Sequence, residues 1–130
     1  MYNLFLDDFR YPEDCVNYTH NPIYTAVEWV IVRNYDEFVQ TIERMGIPDI
    51  VSFDHDLADQ HYAVYDKGLE LDYLIFTEKT GYHCAEWLIY HCIDNKLTIP
   101  SKVYIHSMNP AGSRNIESLF KTYEKIHRGI

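Results

Sequence analysis

Four short apolar runs, each stopped by polar or turn-forming residues, punctuate the chain. Tyr2 to Leu6, Val27 to Val32, Ile50 to Phe53 and Lys102 to Ile105 have the length and the apolar or β-branched content of buried strands. Between and after them, apolar residues recur at helical spacing. Phe38, Val39, Ile42 and Met45 form one such stripe, Ala85, Leu88, Ile89 and Cys92 a second, and Ile116, Leu119, Phe120, Tyr123 and Ile126 a third. Asn34, with Glu37 three residues later, is a start signal for the first helix, and Gly46 and Pro48 end it. Thr80 caps the second, which runs to about Asn95. Tyr11 to Thr25 holds Pro12, Asn17, Asn21 and Pro22 with no sustained period, and is read as a loop or irregular turns.

The resulting order is strand, strand, helix, strand, helix, strand, helix. Strands separated by single helices imply right-handed crossovers, hence an α/β three-layer sandwich with a mostly parallel sheet of about four strands and a ligand site outside the strands' carboxyl ends. Residues 57–79 mix acids with Tyr62, Tyr65 and Tyr73, and are read as an insertion or flap over that end, which would give the aromatics somewhere to pack, with a disordered excursion as the alternative.

Length and charge narrow the picture. A chain of 130 residues with 47% hydrophobic content suits a single domain over 1–130 that folds without staples. Twenty acids against eleven bases leave a net charge of −9, which argues against an extended nucleic-acid surface but allows one local site for a phosphate end. Three cysteines, an odd number, and no leading apolar segment point to a cytoplasmic setting. No apolar run approaches the ~20 residues of a membrane span, so no membrane partner is expected. The oligomeric state is not legible.

The polar groups gather at the strand ends. Asp7 and Asp8 follow the first strand, Asp54, His55 and Asp56 the third, and His106 and Ser107 the fourth. Carboxylates brought together repel unless a cation or proton intervenes, and a divalent metal, Mg²⁺ or Mn²⁺, held by Asp7, Asp8, Asp54 and Asp56 answers that repulsion while leaving room for phosphate oxygens. The competing reading is that these acids cap turns or pair with Arg10 or Arg33. His55 and His106 are candidate proton carriers, because imidazole titrates near neutral pH. Ser107, Asn109 and Arg114, at the start of the last helix, are candidate phosphate ligands; an ordinary Asn-Pro turn is the alternative. Alternation along an extended chain puts Asp54 and Asp56 on one side if the strand persists past Phe53, which favours His106 over His55 as the proton carrier. Two tempting pairs fail: His83-Cys84 and His91-Cys92 stand about 12 Å apart along a helix, too far to share one zinc.

Taken in order, Leu4-Phe5-Leu6-Asp7-Asp8-Phe9-Arg10-Tyr11-Pro12, Ser52-Phe53-Asp54-His55-Asp56-Leu57, Thr80-Gly81-Tyr82 before a helix with Trp87-Leu88, and His106-Ser107-Met108-Asn109-Pro110-Ala111-Gly112 resemble the cyclic-phosphate processing receiver domain family. That family is a variant of the response-regulator receiver fold, with a flavodoxin-like sheet. The resemblance implies that Asp7 and Asp8 match the receiver's metal-binding acids, that Asp54 matches its acceptor aspartate, and that Ser107 falls where receivers place a hydroxyl. It also implies processing of cyclic phosphates at RNA ends. The chain departs from receivers in having no legible fifth strand with its lysine, no clear first helix and two added histidines, which argues against a phosphorelay role. The expected activity is that of a metal-assisted phosphoesterase acting on a nucleotide or RNA phosphate end, with Asp54, His55 and His106 catalytic. The alternative is a non-catalytic receiver-like module that binds a partner protein or a nucleotide.

Overall fold

The computed structural model describes residues 1–57 and 79–128. Its elements are β1 (Asn3–Leu6), α1 (Pro12–Thr19), α2 (Ile23–Ala26), β2 (Val30–Val32), α3 (Tyr35–Met45), β3 (Ile50–Phe53), α4 (Gly81–Asp94), β4 (Lys102–Ile105) and α5 (Pro110–Arg128). The four strands form one all-parallel sheet in the order β2-β1-β3-β4.

That order sets the layers. The connection from β1 to β2 runs one way across the sheet, whereas β2 to β3 and β3 to β4 run the other way. Right-handed crossovers then require the first connection to lie on the opposite face from the next two. So it does. Cys15 of α1 and Tyr24 of α2 pack on Phe5, with Ile31 and Tyr104 beside them. Phe38 and Ile42 of α3, Leu88 and Cys92 of α4, and Ile116 and Phe120 of α5 pack on Leu4, Leu6, Val51 and Phe53 from the other side. The period-two alternation of the strands, Leu4 and Leu6 one way and Phe5 the other, divides the two cores.

Local signals explain most of the elements. Asn34 caps α3 by accepting from the Glu37 amide at 2.9 Å, and Gly46 follows it at φ +88°, a backbone that glycine adopts without a Cβ clash. In α4 the cysteines Cys84 and Cys92 are buried, while His83 is exposed and His91 stacks on Trp87 at 4.6 Å. No disulfide links the cysteines.

Two expectations need correction. Tyr11 to Thr25 is not a loop but holds α1 and α2. With only Pro12 and Cys15 buried in α1, eight residues are too few to display a period. The helix is specified at its start instead: Pro12 at the first helical position, Glu13 and Asp14 in the first turn, and the Asp14 carboxylate accepting from the Tyr11 amide at 2.8 Å. The second strand is also shorter than its β-branched content suggests, starting at Val30 rather than Val27; Val27 closes α2, and Trp29 packs beside Phe5 and Tyr24. The expected flap lies, from 58 to 78, outside the described residues.

Candidate metal centre at the strand ends

The register aligns Leu6 of β1 with Val32 of β2 and Phe53 of β3, and Phe53 with Ile105 of β4. The next residue of each strand therefore emerges at the same level, and the backbone holds it there. The Asp7 amide donates to the Val32 carbonyl, Asp54 to Leu6 and His106 to Phe53, all at 3.0 to 3.1 Å. Because the chain changes direction between β1 and β3, this level is also the topological switch point of the sheet, where open α/β folds place their ligands.

Asp7 is fully buried, and its carboxylate is held from several sides. Oδ1 accepts from the Phe9 and Arg10 amides at 3.0 and 2.8 Å, and Oδ2 faces His106 Nε2 at 3.1 Å and Arg10 Nη1 at 3.5 Å. Burial alone would push its pKa up. The His106 hydrogen bond and the two backbone amides outweigh burial and bring it down to about 2.

Asp54 responds the other way. Burial raises it, the neighbouring Asp7 charge raises it further, and Arg10 opposes this only in part, leaving it at about 7. Its Oδ1 accepts from the His55 amide at 2.9 Å, and its Oδ2 lies 4.0 Å from Arg10 Nη1. Asp8 completes the group: one carboxylate oxygen from each of Asp7, Asp8 and Asp54 falls within 4.8 Å of the others. Three converging hard oxygen donors, one on a carboxylate that resists ionisation beside its neighbour, form a group that could hold a divalent cation. Arg10 is the protein's own cation here, stacked over the Phe9 ring at 4.5 Å and donating to Met108 Sδ at 3.1 Å. Arg33 lies behind it, donating to the Asp7 and Arg10 carbonyls and so fixing the turn that carries both.

The strand does not persist past Phe53, so the alternation that would align Asp56 with Asp54 stops there. Asp54 turns into the acidic group, whereas Asp56, with a side chain 41% exposed, faces His55 Nδ1 at 2.7 Å and accepts from Asn109 Nδ2 at 3.3 Å. Two glycines allow this packing. A Cβ on Gly81 would fall 1.7 Å from the Asp54 carbonyl oxygen, and one on Gly112 2.3 Å from His55 Cγ. The Gly81 amide donates to the His55 carbonyl at 2.8 Å, docking the start of α4 on the loop after β3.

His106 is the better buried of the two histidines, at 1% exposure. Its ring stacks on Phe5 at 4.4 Å, and both nitrogens are engaged, Nε2 by Asp7 and Nδ1 by Ser52 Oγ at 2.6 Å. Ser107 and Asn109 are occupied in building the α5 entry. Ser107 Oγ accepts from the Asn109 amide, and Asn109 caps the helix through its Oδ1 to the Gly112 amide at 3.0 Å and its carbonyl to the Ser113 amide at 2.9 Å. With Pro110 lacking an N–H, few amides at that terminus are left for a phosphate. Arg114 is exposed on α5.

Ser52, which engages His106 Nδ1 and the Tyr24 hydroxyl, is marked in the sequence only as the one polar residue within the run Ile50–Phe53. Residues 2–122 match the family described as the cyclic-phosphate processing receiver domain. The chain belongs to that family. The match spans both strand-end acid clusters and the start of α5, so the acidic centre lies wholly within the receiver domain. Comparison with curated proteins and with solved structures gave no match. Among the described residues, no helix is long and apolar enough to cross a membrane.

Proposed function

We propose that this receiver domain is a divalent-metal-assisted phosphoesterase that opens a cyclic phosphate, or removes another phosphate end, on a nucleotide or RNA. The convergence of Asp7, Asp8 and Asp54 within 4.8 Å at the sheet's switch point carries the reading, and the family description supplies the substrate class. In this reading the three carboxylates would hold Mg²⁺ or Mn²⁺, which would supply Lewis-acid charge to a phosphate.

The chain's own groups divide the remaining work. Arg10, paired with Asp7 and Asp54, is the guanidinium beside the acids that would bind a substrate phosphate. His55 takes the proton-carrying role. Its Nδ1 is oriented by Asp56, the arrangement in which a carboxylate fixes an imidazole and leaves the other nitrogen to exchange protons. His106, with both nitrogens engaged inside the fold, serves position instead. Ser107, Asn109 and Arg114 shape and charge the α5 side of the mouth.

The test is metal-dependent opening of a 2′,3′-cyclic nucleotide to a monoester, followed with and without chelator. Turnover in wild type that disappears in Asp54→Asn and on chelation supports the reading. Metal-dependent nucleotide binding with no product supports the non-catalytic module, and turnover unaffected by Asp54→Asn overturns the mechanism.

A further inference from the structure

We propose that His106, Ser52 and Tyr24 form a one-directional chain of hydrogen bonds that holds the Asp7 carboxylate in its metal-binding pose, with Ser52 and Tyr24 as positioning residues on the α1/α2 face of the sheet. The proposal rests on the metal-assisted reading above and adds to it the residues that set the pose of one ligand.

The links are short and buried throughout. Asp7 Oδ2 lies 3.1 Å from His106 Nε2, His106 Nδ1 2.6 Å from Ser52 Oγ, and Ser52 Oγ 2.8 Å from the Tyr24 hydroxyl. None of the four residues is more than 3% exposed. Their direction follows from counting protons. An ionised Asp7 only accepts, so Nε2 carries the proton and donates to it. Were Nδ1 protonated as well, it would donate to Ser52, Ser52 to Tyr24, and the Tyr24 hydroxyl proton would be left without an acceptor among the described residues, in a buried site where that is costly. With Nδ1 as acceptor every proton is used: Tyr24 donates to Ser52, Ser52 to His106, and His106 to Asp7.

The setting shows that packing alone does not call for these groups. Ser52 occupies the sheet row Ile31, Phe5, Ser52, Tyr104, otherwise filled by apolar or aromatic side chains against α1 and α2. An apolar residue of similar shape would fit there without needing partners. The His106 ring is further locked by the Phe5 stack and by the Tyr18 hydroxyl donating to its backbone carbonyl. The result is a rigid strut from α2 along one face of the sheet to one carboxylate of the acidic centre. A partner bonded to a ligand, as His106 is to Asp7, typically changes metal affinity about 10–100-fold when removed; Ser52 and Tyr24 act through His106, one and two bonds further out.

The experiment has two readouts on the full chain. Nitrogen-detected NMR of the apoprotein at neutral pH reports which His106 nitrogen is protonated, and Mn²⁺ titration reports affinity in wild type, Ser52→Ala and Tyr24→Phe. Tyr24→Phe removes a single oxygen and keeps the ring, which guards against a folding failure. The expected result is an Nε2–H neutral imidazole in wild type, Mn²⁺ binding weakened by up to about tenfold in Ser52→Ala, the lower end for a group bonded directly to a ligand, and a smaller loss in Tyr24→Phe. An Nδ1–H or doubly protonated ring in wild type overturns the proposal, as does unchanged Mn²⁺ affinity in a folded Ser52→Ala. Wild type that binds no Mn²⁺ overturns the metal reading itself, a different result from normal binding that ignores the two substitutions.

Discussion

Asp7 and Asp54 stand one residue past adjacent parallel strands, and burial acts on both in the same direction, yet their carboxyl groups settle far apart, at about 2 and about 7. The difference lies in the donors. Asp7 takes two backbone amides and His106, whereas Asp54 has one amide and a charged Asp7 beside it. The first is held as an anion, and the second keeps its proton to about 7.

This gap has a signed consequence for stability. Between the ordinary value of 3.8 and about 7, Asp54 is protonated in the folded chain and ionised in the unfolded one, so its contribution to stability falls as pH rises through that window. Asp7 does the reverse, stabilising above 3.8 and losing that contribution as pH falls toward about 2. Thermal melts of metal-free wild type should therefore decline relative to Asp54→Asn from pH 4 to 7, by on the order of a few kcal/mol. Mg²⁺ should remove the decline by replacing the proton, so its stabilising effect grows with pH. A parallel pH course for wild type and Asp54→Asn would contradict the assignment.

The glycines flanking the loop after β3 are predicted to differ in kind. Gly81→Ala drives a methyl into the Asp54 backbone carbonyl, which cannot rotate away, and should cost about 3 kcal/mol or more, at the upper end for overpacking. Gly112→Ala meets the His55 ring instead, a side chain able to move. It should cost less stability but more activity, because it displaces His55 from Asp56. Denaturant melts together with turnover separate the two, and equal stability losses would count against this picture.

His55 and Asp56 make a testable pair of their own. His55→Gln is expected to lower kcat about 10²-fold or more, the usual scale for a lost proton carrier, and Asp56→Asn less, with Mn²⁺ affinity little changed in either. A large loss of Mn²⁺ affinity in Asp56→Asn would instead return Asp56 to the metal shell.

Much of this architecture was legible in the chain because its signals are local. The runs Leu4-Phe5-Leu6 and Ile50-Val51-Ser52-Phe53 stop at acids, and parallel strands in register bring those stops to one level. Asn34 and Thr80 announce α3 and α4. Helix α1 was not legible by periodicity because it buries so little; it is written in Pro12 and the acids behind it. The separation of Asp56 from Asp54 depends on where β3 ends, beyond which the His55 carbonyl is taken by the Gly81 amide from another part of the chain. The roles of Ser52 and Tyr24 depend on β1, β3 and β4 lying side by side under α2, a long-range relationship that no spacing of residues reveals.

Core packing offers a control away from the centre. Leu88 is fully buried on α4 against the sheet, so Leu88→Ala should cost about 2–5 kcal/mol while the folded fraction keeps its Mn²⁺ affinity. Loss of affinity in that folded fraction would mean that the centre is less independent of the α4 core than the geometry implies.

The central claim, that Asp7, Asp8 and Asp54 together hold a divalent cation, is tested most directly by Mn²⁺ titration of the apoprotein, read by electron paramagnetic resonance at mildly alkaline pH. A single saturable site in wild type, weakened at least about tenfold in both Asp8→Asn and Asp54→Asn, is the predicted result. Binding of equal strength in wild type and in the doubly substituted chain would place the cation elsewhere and contradict the account.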